Sequence, residues 1–294
     1  MSKPNFLIVG AMKSGTTSLW HYTRHNPTIY TPRDKELNYF NGSKRTRKER
    51  EAYFKQFDSG ISYTLRGECS PRYLFDPNSA GRIYSELGEN TKIIAILRNP
   101  IDRSFSHWKH TTRHGKENDT FSTCLRRFYE KREIDDILFA YIAASLYHQQ
   151  LERYYRLFSR KNIKIIFLEE MLYNQNSVVN EIFSFLGAPY SKDVTTEVFN
   201  AAAHTKIHWI REFFEEENIF REKVGKYLPS KTKKMIKRFS EKIYSRPSEE
   251  CLCDNSTRKV LKEIFSDDVE RTSALINQDC SNYWVDFDKN QYHQ

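Results

Sequence analysis

The sequence predicts an α/β protein: a three-layer, P-loop-like fold in which a central parallel sheet is flanked by helices, with helical additions towards the C-terminus. Three observations predict it. A short continuous apolar run at 6–9 and apolar-rich stretches at 92–97 and 163–168 read as strands, the first of them buried in a parallel sheet. Each run leads into a segment with helical spacing. The first passes through a loop bracketed by Gly10 and Gly15, the strand, glycine turn and helix order of an anion-binding unit.

Phe6 to Val9 form the first strand. Thr16, Thr17 and Ser18 are residue types that start helices, and Leu19, Trp20 and Tyr22 follow at helical spacing. Pro27 disfavours helix in the residue before it, so this helix ends near Asn26. Residues 44–57 read as a charged helix whose buried stripe is Tyr53, Phe54 and Phe57. Pro71 stiffens a strand-end stretch over 66–74. The strand at 92–97 runs into Arg98-Asn99-Pro100, with the proline near a helix start, where its missing N–H costs nothing. A helix is expected over 137–159, a strand over 163–168, and a helix over 176–186 closed by Gly187. Glu169 and Glu170 are expected to bond locally or to cap that helix. Beyond Pro189 the pattern predicts helix over 213–220 and a last helix over 256–279, carrying Val260, Leu261, Ile264, Phe265, Val269 and Leu275, with Trp284 and Phe287 after it.

At 294 residues the chain is long enough for one large domain, and 20 Phe and 18 Tyr supply a substantial core. No stretch approaches the roughly 20 apolar residues that span a bilayer. Met1 to Pro4 lead straight into the first strand without room for a signal peptide, so a cytoplasmic protein is expected. The five cysteines are an odd number, which suits reduced thiols. Cys251 and Cys253 lack the C-x-x-C spacing of a zinc clip. Net charge is +9, and residues 221–246 alone hold ten Lys or Arg against two Glu. Such a field suits an anionic cofactor or substrate, nucleic acid, or a membrane surface.

The loop spacing separates anion sites. The nucleotide-hydrolase pattern G-x-x-x-x-G-K-[ST] wants lysine directly after the second glycine. Here Thr16 stands there, and the lysine is Lys13, two residues before Gly15. No hydroxyl follows a motif lysine to hold magnesium. With Lys13-Ser14-Gly15-Thr16-Thr17-Ser18, the chain resembles the sulfotransferases that use 3'-phosphoadenosine-5'-phosphosulfate (PAPS), most of all those of glycan and heparan-sulfate type and bacterial soluble forms. The resemblance runs over 6–190 and more weakly over 256–287.

It implies that Lys13 and residues 14–18 hold the 5'-phosphosulfate, and that Arg98 with Ser106, eight residues on, holds the 3'-phosphate. A planar guanidinium and a helical hydroxyl suit that task. It implies that Glu36, ahead of Tyr39-Phe40, is the general base, with Lys35 beside it; the plain alternative is a solvated Lys-Glu pair. Ser70, Arg72 and Tyr73 match a stretch that lines the acceptor site, although Cys69 stands where several glycan members have lysine. His107 and His204 are further candidate acceptor contacts. His107, His110 and His114 have helical spacing, but no carboxylate or cysteine completes a metal set, and the resemblance implies none. Ser145 and Tyr147 resemble a position near the cofactor. Relatives cover the cofactor with a basic loop that has no clean match here, Arg246 and Arg258 being substitutes.

The expectation is therefore one sulfotransferase domain over 1–294, with an α/β core and PAPS site over 6–190, a basic helical acceptor or lid region over 191–250, and a C-terminal helix and tail over 251–294. Its partner is a carbohydrate or small-molecule acceptor, not nucleic acid, and its product is adenosine 3',5'-bisphosphate (PAP). A P-loop kinase of a small metabolite, or a non-catalytic binder of acidic polymer through 221–246, are the alternatives. Acceptor identity and oligomeric state are not legible.

Overall fold

The computed structural model describes residues 2–42, 45–130, 137–189 and 253–288. The chain divides into two compact units, Met1–Thr196 with Asn255–Gln294, and Glu197–Asp254. The first unit holds the sheet and its flanking helices. The segments 213–220 and 221–246, His204 and Arg246 lie outside the described residues.

Five parallel strands form one sheet: β1 (Phe6–Gly10), β2 (Ile29–Tyr30), β3 (Leu65–Cys69), β4 (Lys92–Leu97) and β5 (Ile163–Phe167), in the order β2-β3-β1-β4-β5. The order places β1 at the centre, and all its residues are buried. Parallel neighbours put the carboxyl ends of β3, β1 and β4 along one edge, with Ile8 level with Cys69 on one side and Ile94 on the other. In open parallel sheets that edge is where ligands bind.

Helices flank the sheet: α1 (Thr16–His25), α2 (Arg47–Lys55), α3 (Ser79–Leu87), α4 (Pro100–Arg113), α5 (Phe121–Tyr129), α6 (Tyr147–Tyr155), α7 (Leu168–Tyr173), α8 (Gln175–Leu186) and, after the second unit, α9 (Asn255–Ile276). The α1 helix ends where Pro27 requires, with Asn26 as its cap. The 44–57 helix is shorter than its charge pattern suggested. Thr46 starts it by accepting from the Glu49 N–H while Glu49 answers the Thr46 N–H, and Tyr53, Phe54 and Phe57 are buried as expected.

The 137–159 helix contracts to α6 for a reason outside the local sequence. Leu146 is extended, and Asp268 on α9 accepts from the Tyr147 N–H at 2.6 Å and the His148 N–H at 3.1 Å. A cap supplied from 120 residues away fixes where α6 begins. Burial pushes the Asp268 carboxyl up to about 6, against the pull of those two amides.

Beyond α9, Trp284 is fully buried and its Nε1–H donates to Glu169 at 3.2 Å. The other oxygen of Glu169 accepts from the Asn99 N–H at 2.8 Å. Glu169 therefore ties the C-terminal tail to the turn after Arg98. Cys69, Cys124, Cys253 and Cys280 are unbridged thiols.

Candidate active site

The loop after β1 is held by its neighbours. Ala11 donates to the Ile96 carbonyl at 2.8 Å, so β4 positions it directly. Lys13 and Gly15 both take left-handed backbone, with φ of 69° and 88°. Gly15 is the N-cap of α1 and supplies no side chain to its first turn. The leading N–H groups of α1 thus lack intrahelical acceptors, and the first turn carries no acidic residue. Ser14 Oγ is fully buried and makes no hydrogen bond of normal geometry among the described residues. Thr16 is buried, while Thr17 and Ser18 are partly exposed at the helix start. This is a cradle for an anionic group.

Lys13 Nζ lies 3.5 Å from His110 Nδ1 on α4. An ammonium can only donate, so the imidazole accepts and carries its proton on Nε2. Burial, followed by the Lys13 charge, holds His110 down to about 3. At neutral pH this ring is uncharged and presents one N–H. His107, one turn earlier, is fully buried, its Nδ1 3.3 Å from Arg103 Nη2. Burial and the charges of Arg103 and Lys13 keep it well below the usual histidine range. His107 is therefore a neutral interior group rather than a surface contact, and His110 is the histidine beside the loop. Among the described residues no group of three or more His, Cys, Asp and Glu is arranged around a metal position.

Arg98 leaves the end of β4 and reaches the same loop, its Nη1 donating to the Lys13 carbonyl at 3.3 Å. The Tyr147 hydroxyl donates to the Arg98 carbonyl at 2.8 Å. Asn99 caps α4 through the Ile101 N–H, and its amide donates to Asp286 at 2.7 Å. Ser106, two turns into α4, is partly exposed. Arg258 pairs with Asp102 at 2.8 Å and with Asp286 at 2.5 Å, the carboxylate that also accepts from Asn99, so it braces the turn after Arg98. Ser145 is fully buried and accepts from Arg103 Nε at 2.6 Å. The interior arginine also donates to the carbonyls of Met12 at 3.2 Å and Tyr141 at 2.8 Å.

Glu36 takes left-handed backbone at φ 65° and pairs with Lys35 at 2.7 Å, the two side chains being 32% and 18% exposed. Both act electrostatically on the Cys69 thiol, which burial pushes up to about 12. The thiol in turn faces the Thr16 carbonyl at 3.7 Å. Cys69 thus stands between the Glu36 loop and the start of α1. Arg72 is partly exposed and adds to the positive field at His107. Ser70 and Tyr73 are fully buried, and both hydroxyls donate to Glu68.

Lys13, the first turn of α1 and Arg98 therefore meet at one sheet edge, with a carboxylate on the adjoining loop. From sequence, Arg103 has no role, His110 enters only as part of a histidine spacing, Glu169 only as a local or capping group, and Glu68 only as the first residue of the stretch that resembles the family's acceptor-lining segment.

The comparisons with known proteins agree with this geometry. The sulfotransferase domain family matches residues 3–248. The chain is 33% identical over 157 residues, 45% of its length, to the membrane-associated sulfotransferase kil1 of Dictyostelium discoideum. It is 27% identical over 195 residues, 63% of its length, to the bifunctional heparan sulfate N-deacetylase/N-sulfotransferase 4 of Mus musculus. These alignments span 33% and 22% of those two proteins, so the chain corresponds to a part of each. A sulfotransferase from Alicyclobacillus acidocaldarius superposes with a TM-score of 0.68 at 29% identity, over 96% of this chain and 99% of that one. Among the described residues no helix is long and apolar enough to cross a membrane. By the family match over most of its length and by the site just described, the chain belongs to the sulfotransferase domain family.

Proposed function

We propose that the chain transfers a sulfuryl group from PAPS to a hydroxyl or amine of a carbohydrate or small-molecule acceptor, releasing PAP. The observation that carries the reading is the convergence of the Lys13 loop and Arg98, with Arg98 Nη1 3.3 Å from the Lys13 carbonyl. The buried Ser14 hydroxyl and the uncapped first turn of α1 are donors suited to a phosphosulfate. PAPS bound there supplies a sulfuryl group activated by a phosphate leaving group.

Each residue has a role this chain's geometry supports. Lys13 and the N–H groups of residues 15–17 stabilise negative charge gathering on the departing phosphate, the Ser14 N–H being turned to the Ala11 carbonyl at 3.3 Å. Ser18 extends that cradle along the first turn. Arg98, with Ser106, grips the 3'-phosphate, which also discriminates against ATP. Glu36 takes the proton from the acceptor as its oxygen or nitrogen bonds to sulfur and the sulfur–phosphate oxygen bond breaks. Lys35, 2.7 Å from Glu36, orients the carboxylate. Arg72 lends positive charge to the acceptor side. Residues 191–250 form the acceptor or lid region of the one sulfotransferase domain.

Glu36→Gln is the test. Transfer falls by about 100- to 10,000-fold, the range for loss of a general base, while PAP still binds. Transfer at the wild-type rate overturns the assignment.

A further inference from the structure

Three backbone amides of the loop that carries Glu36 are received by one short stretch, residues 69, 70 and 73. The Glu36 N–H donates to the Cys69 carbonyl at 2.9 Å. The Asn38 N–H donates to Ser70 Oγ at 3.0 Å, and the Tyr39 N–H to the Tyr73 hydroxyl at 2.8 Å. Two of these three amides end on Glu68 through a hydroxyl. Ser70 Oγ donates onward to one Glu68 oxygen at 2.7 Å. The Tyr73 hydroxyl donates to the other at 2.8 Å, as does that of Tyr53 on α2.

The direction of these bonds fixes the hub's state. Ser70 and Tyr73 each accept a backbone N–H, so each turns its own proton to Glu68. An ionised carboxylate has about four acceptor positions and no donor, and three hydroxyl donors arrive. Burial raises the Glu68 pKa, and the three hydroxyls, with the Leu37 amide, pull it back. Glu68 is 1% exposed, on β3. From the other side, Arg45 gathers the carbonyls of Asn38, Tyr39 and Asn41 at 2.8 to 3.0 Å.

The held segment is one that would not hold itself. Glu36 and Asn38 lie at φ 65° and 53°, left-handed backbone that residues with a side chain adopt when their surroundings impose it. We propose that Glu68 is a positioning residue for Glu36, fixing the loop so that the Glu36 carboxylate faces the acceptor. The proposal rests on the reading of Glu36 as the base.

The test is a double-mutant cycle on the full chain, with Glu36→Gln, Glu68→Gln and the pair. PAP release is followed with PAPS and whichever of N-desulfated heparan oligosaccharides or simple phenols the wild type turns over fastest. In Glu68→Gln an amide N–H faces a hydroxyl that now donates to the carboxylate, and the loop loses its register. The expected result is a fall in kcat of about 10- to 100-fold, the scale of an ångström's misplacement. KM for PAPS and PAP affinity stay within about twofold, because Lys13 and Arg98 keep their contacts. The pair is no slower than Glu36→Gln alone. Ser70→Ala, which removes one amide tie and one donor, shows the same non-additivity and serves if Glu68→Gln does not fold. Equal losses from Glu68→Gln in both backgrounds, or PAP affinity falling with kcat, overturn the positioning role and leave Glu36 as base. A wild-type rate in Glu36→Gln overturns the base and the positioning role together.

Discussion

Gly15→Ala tests whether the loop's shape, and not only its charge, makes the site. Gly15 has φ 88° and ψ 16°, where an L side chain costs about 1–2 kcal/mol. An added Cβ lies 2.8 Å from Leu168 Cδ1, 3.4 Å from Met171 Cε and 3.6 Å from Ile96 Cδ1. The nearest atom ends a flexible side chain, so the crowding adds only a fraction of the roughly 1–3 kcal/mol of a typical overpacked site. The expected loss is about 2 kcal/mol in all. With a urea slope of about 2 kcal/mol per molar, the unfolding midpoint falls by about 1 M. Trp20 and Trp284 are both buried, so their fluorescence reports the transition. PAP affinity falls as well, because shifting Gly15 moves the amides that begin α1. An unchanged midpoint with unchanged PAP affinity refutes the reasoning.

Other perturbations have equally definite outcomes. Arg98→Ala abolishes discrimination between PAP and adenosine 5'-phosphate, measured by competition, because it removes the residue proposed to grip the 3'-phosphate. His110, held down to about 3 against an ordinary 6.5, contributes stability that is present above pH 6.5 and lost as pH falls towards 3. Denaturation series at several pH values therefore diverge between wild type and His110→Gln in neutral solution and converge in acid. Asp268→Ala removes the cap of α6 and costs about 0.5–2 kcal/mol by equilibrium unfolding. Gly67→Ala drives a methyl into the ring of the fully buried Phe6 and costs about 3 kcal/mol, at the upper end for overpacking.

Legibility in the sequence follows the range of the interactions. The β1 strand, its loop and α1 are contiguous, so apolar run, glycine spacing and Pro27 define them. The same holds for β4 running into Arg98-Asn99-Pro100, and for α8 closing at Gly187, whose φ is 82°. The β2 strand is two residues long and carries no period to detect. The start of α6 is set by Asp268, and the Arg98 turn is braced by Glu169, Arg258 and Asp286, partners 70 to 187 residues away from it. Nothing within their own segments signals those partners. Glu36 was legible through its resemblance to a family position, whereas the comb of amides that holds it depends on β3 lying beside its loop. Ser70 and Tyr73 were expected as acceptor contacts because their stretch resembles one that lines the family's acceptor site; both are buried, with their hydroxyls turned to Glu68.

The most direct test of the central claim is calorimetric titration of the protein with PAP, beside ATP with magnesium. The account predicts tight binding of PAP that is lost in Arg98→Ala. Binding of magnesium-ATP with no binding of PAP contradicts it.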